Sequence, residues 1–210
     1  MTKAEVLRAA SLYLCTPIVN NLSEFTELVI QGGVDIVQLR EKQQPDQKIL
    51  ESARELQSLC RTHSVPFIVN DRPDIALLSD ADGVHVGQED LKISDVRRLI
   101  GSNRILGLST HSKSELLEAI SLDVDYISVG PIEQTPTKPG RQGTGEEFLV
   151  FASQFVKLPF FVTGGVDPSK IARLKELGAS RFVVVRYLVN AEDPKAAASA
   201  LKASIQRKLT

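Results

Sequence analysis

Short apolar segments alternate with segments of helical spacing along the chain, and this alternation restricts the fold more than any other feature. The apolar segments are four residues long, and a polar turn follows each of them. Such alternation is typical of buried parallel strands joined by right-handed helical crossovers. Eight such units within 210 residues favour closure into a (β/α)8 barrel, with an open doubly wound sheet as the alternative.

The predicted strands span residues 12–15, 36–39, 66–69, 83–86, 105–108, 126–129, 160–163 and 182–185. Helical spacing covers residues 24–31, 47–63, 94–100, 113–120, 146–155, 169–177 and 195 to the C-terminus, and residues 73–78 are expected to supply one short turn. No linker or low-complexity stretch interrupts this pattern. Residues 1–210 are therefore predicted to form one α/β domain, a single TIM barrel.

Charge and composition exclude several classes of partner. The 25 basic and 26 acidic residues give a net charge of -1, which provides no global field for nucleic acid or an anionic membrane. No stretch approaches the roughly 18 apolar residues of a membrane span, and no apolar leader is present. Cys15 and Cys60 do not form a CxxC pair, which favours buried thiols in a reducing compartment. We expect a cytoplasmic protein with small-molecule substrates, and a homodimer is compatible with this sequence.

Polar residues follow most of the predicted strands, where a barrel has its chemistry. The carboxyl ends of the strands in such a barrel meet at one face, so the residues after them are expected to converge. They are Arg40, Glu41 and Lys42; Asn70, Asp71 and Arg72; Gly87, Gln88, Glu89 and Asp90; Ser109, Thr110 and His111; Gly164 and Gly165; and Arg186.

Two carboxylates in this set, Asp71 and Asp90, follow neighbouring strands and can approach each other. Two oxygen ligands, with water and phosphate in the other positions, are a usual way to hold Mg2+. The alternative is that each carboxylate caps a turn or pairs with a nearby cation such as Arg72 or Lys92. Arg40 and Lys42 favour the metal site, because cations beside a carboxylate pair suit a metal-bound diphosphate.

Two further segments suggest contacts to phosphate. Residues 135–145 are rich in Pro and Gly, and long loops in compact domains are usually functional or disordered. The side chains in this segment that could contact phosphate are Thr135, Thr137, Lys138 and Arg141. The alternative is that the segment is a solvated surface loop. Gly164 and Gly165 follow a strand and precede a helix, so their backbone N–H groups could reach a phosphate.

The histidines do not form a metal cluster. His85 alternates with valines inside a strand, which favours a packed or hydrogen-bonded side chain over a catalytic one. His111 lies just past a strand end and is the one histidine placed to act as an acid or base.

Five strings in fixed order resemble thiamine-phosphate synthases: VQLREK, VNDRPDIALLSDADGVHVGQEDL, GLSTHS, VGPIEQTPTKPG and VTGGV. The resemblance runs from about residue 12 to residue 194. It implies an Mg2+-dependent transferase that joins hydroxymethylpyrimidine diphosphate to hydroxyethylthiazole phosphate, releasing pyrophosphate and forming thiamine phosphate. It also implies a dissociative mechanism, in which pyrophosphate leaves before the thiazole nitrogen captures the pyrimidinylmethyl cation.

The resemblance assigns roles to individual residues. The pyrimidine diphosphate would be bound by Gln38, Arg40, Lys42, Asn70, Ser109 and Lys138, of which Arg40, Lys42, Ser109 and Lys138 would act in catalysis. Asp71 and Asp90 would bind Mg2+. The thiazole phosphate would be held by Thr135, Thr137, Gly165, Val185 and Arg186.

Two positions depart from the family pattern. The family commonly has serine where this chain has Arg186, so the arginine is expected either to grip the thiazole phosphate or to crowd its pocket. Glu133 stands where an aromatic residue is common. Two other functions stay open: a thiazole tautomerase on the same barrel with His111 as acid and base, and a non-catalytic protein that binds thiamine precursors.

Overall fold

The computed structural model describes residues 2–135, 140 and 142–208. The strands are β1 (Leu12–Thr16), β2 (Ile36–Leu39), β3 (Phe67–Asn70), β4 (Gly83–Val86), β5 (Ile105–Thr110), β6 (Tyr126–Val129), β7 (Phe160–Val162) and β8 (Phe182–Val184). Neighbours pair in parallel, and β8 returns to pair with β1. The predicted (β/α)8 barrel is confirmed.

The helices are α1 (Lys3–Ala9), α2 (Leu22–Gln31), α3 (Asp46–Thr62), α4 (Pro73–Leu78), α5 (Ile93–Ile100), α6 (Lys113–Ala119), α7 (Glu146–Phe155), α8 (Pro168–Glu176), α9 (Arg186–Val189) and α10 (Pro194–Gln206). Of these, α1 and α9 were not predicted, and α4 is a six-residue helix where a turn was expected. Asn70, Ser109 and Thr110, expected just after strands, instead end β3 and β5.

The inside of the barrel is filled by large side chains from alternate strand positions. Tyr13, Ile36, Ile68, Tyr126 and Phe161 belong to one fully buried cluster, separate from the larger core between the barrel and its helices. Because strand residues alternate in direction, the next inward positions along each strand lie closer to the carboxyl end. That end is where the side chains become polar.

The unpredicted helix α1 belongs to the amino end of the barrel. Its Leu7 is 1% exposed and joins the interior cluster. Arg181 donates to the carbonyl oxygens of Leu7 and Arg8 and holds the helix there. The helix begins with a capping box, in which Thr2 and Glu5 satisfy each other's backbone N–H groups. That Thr-x-x-Glu spacing was the signal available in the sequence.

Aspartates that precede alternate strands fix the same end of the barrel. Asp35, Asp82 and Asp125 each accept a hydrogen bond from a backbone N–H at the start of the preceding strand, in the first or second residue, at 2.9 Å in all three cases. A buried backbone donor without a partner is costly, so these carboxylates stabilise the strand starts. These three carboxylates therefore have a structural role at the amino end of the barrel, and the face expected to bind substrates is at the opposite end.

Cys15 and Cys60 are both buried. Burial raises the pKa of the Cys60 thiol to about 12, so this side chain behaves as a small apolar group. Among the described residues, no helix combines the length and the apolar character needed to cross a bilayer.

Candidate active site

A cavity of about 380 Å³ opens at the carboxyl end of the barrel. Its volume lies in the range typical of small-molecule sites. Most of the predicted substrate-binding residues in the described part of the chain line it: Gln38, Arg40, Asn70, Ser109, Thr135, Gly165, Val185 and Arg186. The structure therefore brings together side chains from β2, β3 and β5 and from the turns after β2, β6, β7 and β8.

The predicted metal ligands lie at the edge of this mouth. Asp71 follows β3 and its carboxylate is 2.9 Å from the Lys42 ammonium, which follows β2. The Asp71 and Asp90 carboxyl groups are within hydrogen-bonding reach of each other. Asp90 also accepts a hydrogen bond from the backbone N–H of Gly87 at 2.7 Å, so it caps its own turn as well. Arg72 is engaged elsewhere, with Asp46 and Asp74.

The local backbone and charge at Asp71 are unusual. Its φ of 62° is in the left-handed region, which non-glycine residues adopt rarely and often at functional sites. Burial, together with the neighbouring Asp90, raises the pKa of the Asp71 carboxyl, while Lys42 opposes the shift. Two adjacent carboxylates, one of them paired with an exposed lysine, suit a divalent cation with oxygen ligands.

The turn after β7 forms another part of the wall. Gly164 and Gly165 have φ values of 102° and 71°, a region that favours glycine. A Cβ atom on Gly165 would lie 2.6 Å from a carboxylate oxygen of Glu133. Glu133 forms an ion pair with Lys170 of α8. The second departure from the family pattern thus places a carboxylate, with its own cation, beside the glycine turn.

Arg186 is exposed and is the first residue of α9, directly after Val185. It lines the same cavity as Gly164 and Gly165. No carboxylate among the described residues lies within 4.0 Å of its guanidinium, in contrast to Lys170. Its charge is therefore available to an anion in the cavity.

Five side chains at the bottom of the cavity form a hydrogen-bonded chain, which we call the floor network. They are Gln38, Tyr13, Tyr126, His85 and Ser109, and each is buried. The sequence singled out Gln38 and Ser109 but not the tyrosines. The prediction of a packed or hydrogen-bonded His85 is confirmed, since the ring stacks on Tyr126 and both of its nitrogens have partners. The tyrosines could have been found from their spacing, because residues two apart in a strand point the same way. Tyr13 and Tyr126 lie two residues before Cys15 and Ser128, which face the cavity from β1 and β6.

His111 lies outside the described lining of the cavity. Its Nδ1 is 3.0 Å from a carboxylate oxygen of Glu115, and its backbone N–H donates to the same oxygen at 2.7 Å. Only 8% of its side chain is exposed. His111 and Glu115 are thus bonded to each other at the start of α6. Thr137, Lys138 and Arg141 lie outside the described residues.

The family model described as thiamine monophosphate synthase matches residues 12–188. The chain belongs to the thiamine monophosphate synthase family. The barrel and its carboxyl-end cavity are therefore those of a member of this family.

Individual relatives agree with this assignment. The chain is 43% identical to the thiamine-phosphate synthase of Nostoc punctiforme over 97% of its own length and 58% of that protein. It is 42% identical to that of Mycobacterium sp. (strain KMS), over 93% of this chain and 92% of that one. The chain spans about half the length of several curated relatives that it matches, and nearly all of others.

A solved structure has the same fold throughout. Thiamine phosphate pyrophosphorylase from Pyrococcus furiosus superposes with a TM-score of 0.86 at 30% identity, covering 96% of this chain and 98% of that one. A 3-hexulose-6-phosphate synthase superposes with a TM-score of 0.68 at 20% identity, over 92% of this chain and 99% of that one, and this likeness concerns the barrel alone.

Proposed function

We propose that the chain is a thiamine-phosphate synthase that joins hydroxymethylpyrimidine diphosphate to hydroxyethylthiazole phosphate and releases pyrophosphate. The observation that carries the proposal is the meeting of Asp71 and Asp90 beside Lys42, at the edge of the cavity that Arg40 and Ser109 line. A carboxylate pair with adjacent cations suits a diphosphate that leaves as a metal-bound anion. Membership of the family supports the choice of substrates.

In this proposal the diphosphate lies between the metal site and the cavity. Arg40 is half-buried and offers a planar fork to phosphate oxygens, while Lys42 supplies a point charge. Asn70, at the end of β3, and Lys138 contact the same substrate. Gln38 and Ser109 bind the pyrimidine ring at the bottom of the cavity. Arg40, Lys42, Ser109 and Lys138 are the proposed catalytic residues, because they stabilise charge or position the ring as the bond to pyrophosphate breaks.

The proposed cofactor is Mg2+, held by Asp71 and Asp90. Among the described residues no cluster of three His, Cys, Asp or Glu side chains could hold a metal ion. The donor set therefore fits an ion that takes its remaining ligands from phosphate and water, as Mg2+ usually does. When bound, it neutralises charge on the leaving pyrophosphate.

The second substrate is proposed to lie on the opposite wall, with its phosphate at the Gly165 turn. Thr135 and the Val185–Arg186 turn line the same cavity. Thr137 is proposed to contact the same phosphate. This arrangement directs the thiazole nitrogen at the pyrimidinylmethyl carbon, which it attacks once pyrophosphate has left. Accurate placement of the nucleophile then matters more than a general base.

The decisive assay combines the purified chain with both substrates and Mg2+ and detects thiamine phosphate by mass. We expect product and an equal amount of pyrophosphate. Absence of product with both substrates present, at any Mg2+ concentration tested, would contradict the proposed function. Binding of both substrates without turnover would favour the non-catalytic alternative.

The tautomerase alternative depends on His111. Because His111 is engaged with Glu115 and lies outside the described cavity lining, His111→Ala should lower kcat/KM by less than about five-fold, far less than loss of a general base. Steady-state kinetics on the synthase reaction provide the measurement. Complete inactivation of His111→Ala, together with full activity of the wild type after chelation of divalent metals, would favour the tautomerase.

Arg186→Ser tests the thiazole-phosphate pocket. An Arg–phosphate contact that is partly exposed contributes on the order of 1.5–3 kcal/mol, so the KM for thiazole phosphate should rise about ten-fold or more. The KM for the pyrimidine diphosphate should not change. Arg98→Ser, which removes an arginine whose side chain is 79% exposed on α5, is the matched control. An unchanged KM for thiazole phosphate in Arg186→Ser would show that the arginine points away from the phosphate, and a lower KM would show that it crowds the pocket; either result contradicts the proposed contact.

We further propose that residues 1–210 form a single domain that works in the cytoplasm, which the two buried thiols support. Sedimentation of the purified chain distinguishes a monomer from a homodimer.

A further inference from the structure

The turn after β7 presents backbone donors to the cavity. Gly164 and Gly165 have φ values of 102° and 71°, and residues 164–167 all line the cavity. No described residue accepts a hydrogen bond from the backbone N–H of Gly165 or Val166. Successive N–H groups in a turn of this kind can bind an anion. The turn therefore has donors available for the oxygens of a phosphate.

An anion already lies against this turn, namely the carboxylate of Glu133. A Cβ atom on Gly165 would be 2.6 Å from Oε2 of Glu133, so the carboxylate covers the side of the glycine that has no side chain. The same oxygen accepts a hydrogen bond from Nζ of Lys170, in the first turn of α8. Glu133 and Lys170 both line the cavity. The lysine thus holds a carboxylate where a phosphate would approach the glycine turn.

The charges on this wall balance one another. Among the described lining residues that follow β6, β7 and β8, the charged ones are Glu133, Asp167, Lys170 and Arg186, two of each sign. Asp167 is engaged as the cap of α8. A phosphate dianion at Gly165 would therefore face the Glu133 carboxylate, and like charges at short range repel each other. Both anions cannot hold the same lysine, so one of them has to leave.

The Glu133 carboxylate is the anion that can move. Its side chain is 53% exposed and that of Lys170 is 37% exposed, and ion pairs with this much exposure are weak. A phosphate has more charge than a carboxylate and offers three acceptor oxygens. It therefore competes well for Lys170, while rotation of the Glu133 side chain carries its carboxylate into solvent.

We propose that Lys170 binds the phosphate of the second substrate and that Glu133 is an internal competitor, which holds Lys170 until that phosphate displaces it. The exchange lowers the affinity of this position for every anion. A small anion such as inorganic phosphate is then kept off, whereas a substrate that also contacts the cavity through its ring still binds. This inference rests on the proposed function, since the phosphate belongs to the thiazole substrate.

Replacement of Glu133 tests the competition. Glu133→Gln removes the competing charge, so the KM for hydroxyethylthiazole phosphate should fall by about three- to five-fold, the equivalent of an exposed ion pair. Glu133→Ala should lower the same KM, which excludes a new contact from the glutamine amide. The inhibition constant of inorganic phosphate, measured in competition with thiazole phosphate, should fall as well. The KM for the pyrimidine diphosphate should not change in either variant.

Replacement of Lys170 in two backgrounds tests the exchange itself. Lys170→Met removes a phosphate contact, which should raise the KM for thiazole phosphate by about ten-fold in the Glu133→Gln background. In the native background the rise should be only about two- to three-fold, because the same substitution also releases the competing carboxylate. The substitution at 170 should thus have the larger effect where Glu133 is absent.

A second ion pair to α8 provides the matched controls. Arg173 pairs with Glu146 at the start of α7, and neither residue belongs to the described lining of the cavity. Glu146→Gln and Arg173→Met should therefore leave the KM for thiazole phosphate unchanged.

Three results would overturn the exchange. Glu133→Gln and Glu133→Ala may leave the KM unchanged or raise it, Lys170→Met may have no effect in the Glu133→Gln background, or the double variant may match both single variants, as expected of an ion pair that only holds the turn to α8. A wild type that forms no thiamine phosphate contradicts the proposed function instead. In that case the dissociation constants of thiazole phosphate, measured by titration calorimetry, should follow the same order if the exchange occurs.

Discussion

Asp71→Asn and Asp90→Asn are each expected to lower kcat/KM of the synthase reaction by about 10²-fold or more while leaving the fold intact. A metal ion that neutralises a leaving diphosphate contributes several kcal/mol to the transition state, and each 1.36 kcal/mol is a factor of ten. The two carboxylates lie within hydrogen-bonding reach of each other, so removing either one removes half of the protein's ligands at that position. Kinetics at saturating and limiting Mg2+ provide the measurement.

Unfolding measurements give a second readout that does not depend on turnover. A carboxyl whose pKa is raised by folding favours the folded state at low pH, and that contribution is lost as the pH rises through the raised pKa. Asp71 is such a group, so at neutral pH without metal its charge lowers stability. Asp71→Asn should therefore unfold at a slightly higher temperature than the wild type without Mg2+. It should also gain much less stability when Mg2+ is added.

Asp123→Asn is the matched control, because Asp123 is 75% exposed and precedes β6 at the other end of the barrel. It should retain wild-type kinetics and the Mg2+-dependent rise in stability. Normal turnover of both Asp71→Asn and Asp90→Asn in limiting Mg2+ would contradict the metal site.

The barrel could be predicted because its determinants are local. Each strand is a short apolar run between turn residues, and in the described residues the predicted bounds of all eight strands differ from the observed ones by at most two residues. The convergence of residues in the turns after strands, such as Asp71 and Asp90, follows from the same order, because a barrel brings consecutive strand ends together. The resemblance to the family then supplied their roles, which stay predictions.

The floor network could not be predicted, because it depends on pairs that are distant in sequence. Tyr13 and Tyr126 are 113 positions apart, and an apolar run that contains a tyrosine indicates only a buried strand. Which hydroxyl meets which partner depends on how the barrel closes. The ion pair between Glu133 and Lys170 has the same origin, since it joins the turn after β6 to α8.

Gly107, in β5, lies directly against the Tyr126 ring, and we expect that even an alanine side chain at this position destabilises the protein. A Cβ atom there would overlap the Cζ and Cε1 atoms of Tyr126. The Tyr126 ring is fully buried and cannot move away, because Phe161 packs against its edge and His85 stacks on it. Overpacking of a rigid core usually costs 1–3 kcal/mol, so Gly107→Ala should lower the free energy of unfolding by about 3 kcal/mol.

A double-mutant cycle with Tyr126→Leu tests this cause, because leucine lacks the atoms that the new Cβ would meet. In the Tyr126→Leu background, Gly107→Ala should stabilise the protein by roughly 0.5–1 kcal/mol, since alanine loses less backbone entropy than glycine in a strand. Urea unfolding of the four proteins gives the free energies. The effect of Gly107→Ala should thus change sign with the residue at position 126. An equal loss of stability in both backgrounds would show that the strand itself, and not the Tyr126 ring, requires the glycine.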